Sequence, residues 1–285
     1  MFNFIIYKIG EFVALHLPLK AAYALAGFIS DLQFLFSRKD RVIVQGNLKK
    51  ILTAEETKRL NYHTREVFRN FGRYLVEFFR FPLVDREFIE KNISLEGFSY
   101  ADEALKKGKG AVAVTAHIGN WELAGIVMAI LNYAVLAIVL PHKNSRVNKF
   151  FDGRRLLKGM KIAPLGKAAQ FCLKGLKDNM IVAIAGDRDF IQTGVIVDFL
   201  GLKSQIPRGP AALSLKTGAP IIPAVLIRTK ENKFRFIYEK PIEYIPTNNK
   251  EEDILNLTKE YLKVIEAYIK KYPNQWLMFR EFWMR

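Results

Sequence analysis

The chain has 285 residues, 50% hydrophobic and 25% charged, a composition that excludes general disorder and collagen-like order and allows one large domain or two small ones. Its single cysteine, Cys172, excludes an intramolecular disulfide framework and any cysteine-cluster zinc site. The 44 Lys+Arg against 28 Asp+Glu give +16, a charge suited to polyanions: nucleic acid, an anionic bilayer or a phosphorylated substrate.

Residues 1–37 are largely apolar but interrupted by Lys8, Glu11, Lys20 and Asp31. Their longest uncharged run, 21–30, falls short of the ~20 residues a spanning helix needs. The apolar start lacks the basic leader and clean apolar run of a signal peptide. Pro18 divides the region into two short amphipathic helices. The expectation is a hairpin lying in the bilayer interface over 1–37, followed by one α/β domain over 38–285. Thr53-x-x-Glu56 reads as a capping box, and helical spacing runs on to Arg80 before Pro82 ends it.

From Asn92 the pattern changes. Strands are expected at 93–95, 111–115, 134–140, 180–185, 195–199, 221–227 and 234–238, and helices at 101–107, 123–131, 147–158, 167–177, 210–216 and 251–270. The uncharged run 123–142 is not a membrane span, because Asn132-Tyr133 breaks it and Pro141 ends it. The expected fold class is α/β: a mostly parallel central sheet flanked by helices, with an N-terminal membrane-associating helical extension.

The sharpest local feature is Thr115-Ala116-His117-Ile118-Gly119-Asn120-Trp121-Glu122. His117 is placed at the carboxyl end of a parallel strand, where open α/β sheets hold ligands. Gly119 permits a sharp turn, Asn120 suits an N-cap, and Glu122 falls in the first helical turn. Folded back across that turn, the Glu122 carboxylate would hold one imidazole nitrogen and make the other a base, leaving a substrate hydroxyl as nucleophile. The competing reading is a structural histidine beside a capping acid.

This His-x-x-x-x-Glu arrangement resembles the glycerolipid and lipid A acyltransferase superfamily, and the form HIGNWELAG looks like the lipid A biosynthesis (lauroyl/myristoyl) acyltransferase family, including its phosphatidylinositol mannoside branch. Glu96-Gly97, Gly186-Asp187-Arg188-Asp189, Val195–Gly201, then Ile206–Ala211 with the run PRGPAALSLKTGAP, Pro220-Ile221-Ile222-Pro223 and Asn274-Gln275-Trp276 stand in the order of that family's further blocks. The resemblance implies acyl transfer from a thioester, acyl-CoA or acyl carrier protein, to a hydroxyl of a membrane glycolipid or lipid A-type acceptor. It implies His117 and Glu122 as catalytic residues, no cofactor, no metal, and a place on the cytoplasmic face of the bacterial inner membrane. A lysophospholipid acyltransferase usually carries Glu-Gly-Thr-Arg where this chain has Gly-Asp-Arg-Asp.

The remaining candidates keep two readings each. Asn120 is placed among the substrate-binding residues as well as at the cap. Asp187, Arg188 and Asp189 follow a strand, where three charges contact ligand, scaffold the site or form a local ion-pair turn. Arg208 precedes a helix whose free N–H groups suit an anion or simply begin the helix. Arg154 suits a phosphate or a charged intermediate, or lies on a solvated face. It belongs to the basic stretch 143–167, fit for an anionic membrane surface, coenzyme A phosphates or an acidic carrier. Backbone N–H groups near Gly119-Asn120 and Gly209 are candidate oxyanion donors. The alternative without chemistry is a basic membrane- or nucleic-acid-binding protein, but no nucleic-acid motif appears, so no nucleic-acid partner is expected.

Overall fold

The computed structural model describes residues 2–247 and 249–283. In chain order the helices are α1 (Phe2–His16), α2 (Leu19–Phe36), α3 (Arg38–Leu48), α4 (Ala54–Thr57), α5 (Leu60–Phe79), α6 (Arg86–Asn92), α7 (Phe98–Lys106), α8 (Trp121–Ile130), α9 (Ser145–Leu156), α10 (Ala168–Lys177), α11 (Gly209–Thr217) and α12 (Lys250–Lys271). The strands are β1 (Ile93–Glu96), β2 (Ala111–Thr115), β3 (Val135–Val139), β4 (Lys161–Pro164), β5 (Ile181–Ala185), β6 (Val195–Phe199), β7 (Leu202–Ile206), β8 (Ile221–Arg228) and β9 (Phe234–Tyr238).

A seven-stranded sheet in the order β1-β9-β8-β2-β5-β3-β4 forms the centre. β8, β2, β5, β3 and β4 run parallel; β9 returns antiparallel on β8 and carries β1 parallel to itself. The α/β class, mostly parallel and flanked by helices, is therefore as the sequence indicates. The central strands are aliphatic throughout because helices cover both faces. One apolar layer joins β2, β5 and β8 to α10, α11 and α12; the other joins the opposite face to α5, α8 and α9. Two strands escape the periodicity. β4 is an edge strand of four residues, and β7 pairs only with β6 in a separate two-stranded antiparallel ribbon.

The register decides what meets at the carboxyl edge. Thr115 of β2 lies opposite Ala185 of β5, and Gly186 N–H donates to Thr115 C=O at 2.8 Å. Residues just beyond those two strand ends, His117 and Asp187, are thereby neighbours although 70 positions apart.

α1 and α2 lie against α5 and turn their acids, Glu11 and Asp31, inward. Asp31 accepts paired bonds from Arg65 (2.6 and 2.7 Å) and from Arg69 (2.8 Å). Glu11 is buried and pairs with Lys8 and with Arg154 of α9. Gly72 of α5 admits α2 so closely that a Cβ there would meet Ser30 Oγ at 2.3 Å. With the acids turned in, the outer face is an apolar stripe: Ile5, Ile9 and Phe12 on α1, and Phe28, Ile29, Leu32 and Leu35 on α2 are exposed. α2 is by length and composition apolar enough to cross a membrane, and only 11% of it is buried.

Candidate active site

His117 stands near the start of the turn, residues 116–120, that leaves β2 and enters α8. The turn is held at His117, Gly119 and Asn120. His117 N–H donates to Asp187 Oδ2 (3.0 Å) and its C=O accepts from Leu277 N–H (2.8 Å). Gly119 N–H donates to Gln275 C=O (2.9 Å), and Asn120 N–H to Leu226 C=O (2.9 Å). Gly119 has φ +60°, and a Cβ would lie 1.9 Å from Leu226 O, so only glycine fits. Gly119→Ala is expected to destabilise the fold by about 3 kcal/mol or more, read as a lowered denaturant midpoint, since both φ and the contact are violated; an unchanged midpoint would show that the turn has other conformations open to it.

The imidazole's partner is Asp187. His117 Nδ1 lies 2.6 Å from Asp187 Oδ1, and Asp187 Oδ2 accepts further from Trp276 Nε1–H at 3.0 Å. An ionised carboxylate only accepts, so Nδ1 carries the proton and Nε2 presents its lone pair. Among the described residues no other hydrogen bond to this ring is formed. Burial pushes the His117 ring below its ordinary value, with Arg188 acting in the same direction against the raising effect of Asp187, so the neutral form dominates at neutral pH. Burial alone would raise Asp187, but the His117 ring, Arg188 and the Trp276 donor hold it well below the usual carboxylate range. Trp121, stacked on Tyr74 at 4.8 Å, walls the imidazole with an edge contact of 4.8 Å.

The expectation for Glu122 is corrected. Its carboxylate does not hold the imidazole; Arg155 of α9 takes it through Nη2 (2.6 Å) and Nε (2.9 Å). The first turn of α8 carries Glu122 towards α9, whereas the imidazole leans towards β5. Burial works against the Arg155 charge, and Glu122 more than restores it. Glu122 remains close enough to raise the ring's proton affinity through space.

Asn120 does cap α8, its Oδ1 accepting from Leu123 N–H at 2.9 Å, but at 0% exposure its amide faces Glu77 and not a substrate. Arg154 is tied to Glu11 of α1. Asp189 caps its own loop, accepting from Ile191 and Gly194 N–H at 3.1 and 2.6 Å. Arg208 sits on the surface against Glu251 at 2.6 Å. The Gly119 and Asn120 amides are both spent on backbone carbonyls, which removes them as oxyanion donors. Arg188 is different. It donates from Nη2 to Leu277 C=O at 2.6 Å, and its buried Nε has no partner among the described residues. The structure thus brings His117, Asp187 and Arg188 to one edge, with Glu122 close by, and leaves Asp189, Arg208 and Arg154 to local pairs. No group of acids, histidines or cysteines among the described residues has the makings of a metal site.

The sequence profile of bacterial lipid A biosynthesis acyltransferases matches residues 1–285. The chain belongs to that family. It is similar to the phosphatidylinositol mannoside acyltransferase of Mycobacterium tuberculosis, at 33% identity over 161 residues, 54% of this chain and 51% of that protein. The protein of the same name from Mycolicibacterium smegmatis is 28% identical over 221 residues, 75% of this chain and 70% of the relative. The match thus spans about half the length of the first relative.

Within this acyltransferase-family site, the residues that sequence reading missed are second partners. Trp276 as donor to Asp187, Arg155 as holder of Glu122, the buried pair Glu77 and Arg228, and the partly buried Tyr23 all come from other segments. Glu77 carried one signal: a carboxylate directly before Phe78-Phe79 on the apolar face of a helix.

Proposed function

We propose that this protein moves a fatty acyl group from a thioester, acyl-CoA or acyl carrier protein, to a hydroxyl of a membrane glycolipid. The observation that carries this reading is the His117 imidazole, fixed through Nδ1 by buried Asp187, with no hydrogen bond to Nε2 among the described residues. In the reading, Nε2 takes the proton of the acceptor hydroxyl as its oxygen attacks the thioester carbonyl. The tetrahedral oxyanion that forms needs a donor, and the unpartnered Arg188 Nε is the group suited to it. Collapse breaks the C–S bond, and the thiolate leaves with the proton returned by the His117 imidazolium. Ester forms, thiol departs, and the ring is neutral again; no cofactor enters the balance.

The glycolipid acceptor is supported by the similarity to proteins named phosphatidylinositol mannoside acyltransferases. Gly186-Asp187-Arg188-Asp189 in place of Glu-Gly-Thr-Arg argues against a lysophospholipid acceptor. The test is purified protein with acyl-CoA or acyl carrier protein thioesters and vesicles containing a mannosylated phosphatidylinositol, a lipid A precursor or lysophosphatidic acid, with products read by mass spectrometry. Transfer to none of them above a His117→Ala background would sink the reading; transfer to lysophosphatidic acid alone would move it to the phospholipid class.

The same reading has the hairpin 1–37 dock on the cytoplasmic face of the bacterial inner membrane, lying in the interface with the catalytic domain 38–285 above it. The support is the outward apolar stripe together with the net charge of +16. Replacing Ile9, Phe12 and Phe28 by Ser leaves the α5 contacts alone and withdraws roughly 1.5–3 kcal/mol of insertion energy per side chain. The triple variant is expected to stay in the supernatant when spun with anionic vesicles at ~0.5 M salt, where surface charge is screened to a few ångströms. Undiminished sedimentation would place the anchor elsewhere.

A further inference from the structure

Beneath the catalytic turn lies a buried polar cluster that the proposed chemistry does not use. Glu77 of α5 is buried among aromatic side chains, yet its carboxylate has three donors: Tyr23 Oη at 2.7 Å, Asn120 Nδ2 at 2.5 Å, and Arg228 Nη2. Arg228, itself buried at the end of β8, also donates from Nη1 to Tyr23 Oη at 3.3 Å. A buried ion pair is a poor device for stability alone, since apolar residues of similar volume do as well or better. What it does supply is direction, because each bond fixes the partner's position.

Two arms run from Glu77 to the turn that carries His117. The first is direct: Glu77 holds the Asn120 amide, whose oxygen caps α8 through Leu123 N–H. The second passes through Arg228. The Gln275 side chain takes both its backbone groups, accepting from N–H and donating to C=O at 2.9 Å each, and Gln275 C=O receives Gly119 N–H. Asp187 fixes the imidazole at one end of the turn; Glu77 fixes the backbone at the other. Tyr23 ties α2 of the apolar hairpin into the same cluster.

We propose that Glu77 is a positioning residue for His117, and that Tyr23 makes the N-terminal hairpin part of the same device. The inference rests on the acyl-transfer reading for its kinetic consequence, but its structural part does not. The chain has 4 histidines, so the ring N–H signals of the 15N-histidine-labelled protein are few, and His117→Ala identifies the one bonded to Asp187. In Glu77→Gln that signal is expected to weaken or move upfield, and kcat to fall roughly 10- to 100-fold with KM unchanged, the size that follows a displacement of about 1 Å at a reacting group. Tyr23→Phe removes one hydroxyl without changing volume; it is expected to shift the same signal less and lower kcat several-fold. A folded Glu77→Gln protein with the parent's His117 signal and kcat would overturn the proposal. So would a loss of activity that matches a loss of folded protein while the His117 signal stays as in the parent. A parent signal in Tyr23→Phe would remove the hairpin from the device. If the parent protein transfers no acyl group at all yet Glu77→Gln still shifts the His117 signal, the functional reading fails and the positioning role stands.

Discussion

Asp187→Asn is expected to lower kcat by on the order of 10²–10⁴ while the protein stays folded. Asp187 Oδ2 accepts from two donors, His117 N–H and Trp276 Nε1–H, and Oδ1 faces His117 Nδ1. An asparagine would keep its oxygen on the two donors and turn its NH2 towards Nδ1. Nδ1 must then accept, the ring proton moves to Nε2, and the base is lost with the geometry intact. His117→Ala should cost a similar factor by deleting the ring. In the parent enzyme the acid limb of kcat/KM is expected below 6.5, because burial lowers the ring's affinity for protons and only the neutral ring is a base. The residual activity of Asp187→Asn should show that limb lower still, since the carboxylate that raises the ring's affinity has gone. A pH–rate series on both proteins checks this; near-parent turnover in Asp187→Asn would take Asp187 out of the mechanism.

Separating Glu122 from Arg155 is expected to destabilise the fold by about 3–5 kcal/mol, because truncating Arg155 leaves the Glu122 charge buried without its partner and truncating Glu122 leaves Arg155 only the longer Asp152 contact at 3.5 Å. Their side chains are 10% and 9% exposed, and the bonds are 2.6 and 2.9 Å. Glu122→Ala and Arg155→Ala should each lower the denaturant midpoint strongly. The double variant should lose much less than the sum, since no unpaired charge remains. Additive losses would mean that the two side chains are solvated independently. The same pair explains why the basic stretch 143–167 is not one uniform anion trap. Arg155 serves Glu122 and Arg154 serves Glu11, while Lys143, Arg146 and Lys149 stay exposed.

Much of the architecture is legible in the chain itself. Aliphatic runs at 111–115 and 180–185 read as strands covered on both faces, and the alternation with helices selects a parallel sheet. Gly119 and Asn120 announce the turn and the cap, because only glycine takes φ +60° under a neighbouring carbonyl and asparagine's short amide reaches the third amide of a helix. β7 and the edge strand β4 escape the pattern because they are short and carry too few apolar residues to show a period, whereas β6 is legible at 195–199.

The sequence by itself determined the local pieces: where strands end, where helices begin, that His117 stands at a strand's carboxyl end, and that two largely apolar helices, Phe2–His16 and Leu19–Phe36, are divided at Pro18. Those follow from period, capping and backbone freedom, which act within a few residues. Tertiary structure alone decided who partners whom. Glu122 is the nearer acid along the chain, but helix α8 carries it to Arg155, and the Thr115–Ala185 register delivers Asp187 to the imidazole from 70 residues away. Likewise Glu11 and Asp31 interrupt the apolar hairpin only in the one-dimensional chain. Folded against α5 and α9 they turn inward to Arg154, Arg65 and Arg69, and the face left outside is apolar. A carboxylate pairs with whichever donor the fold brings within about 3 Å, and sequence spacing carries no information on that once the partner lies on another element.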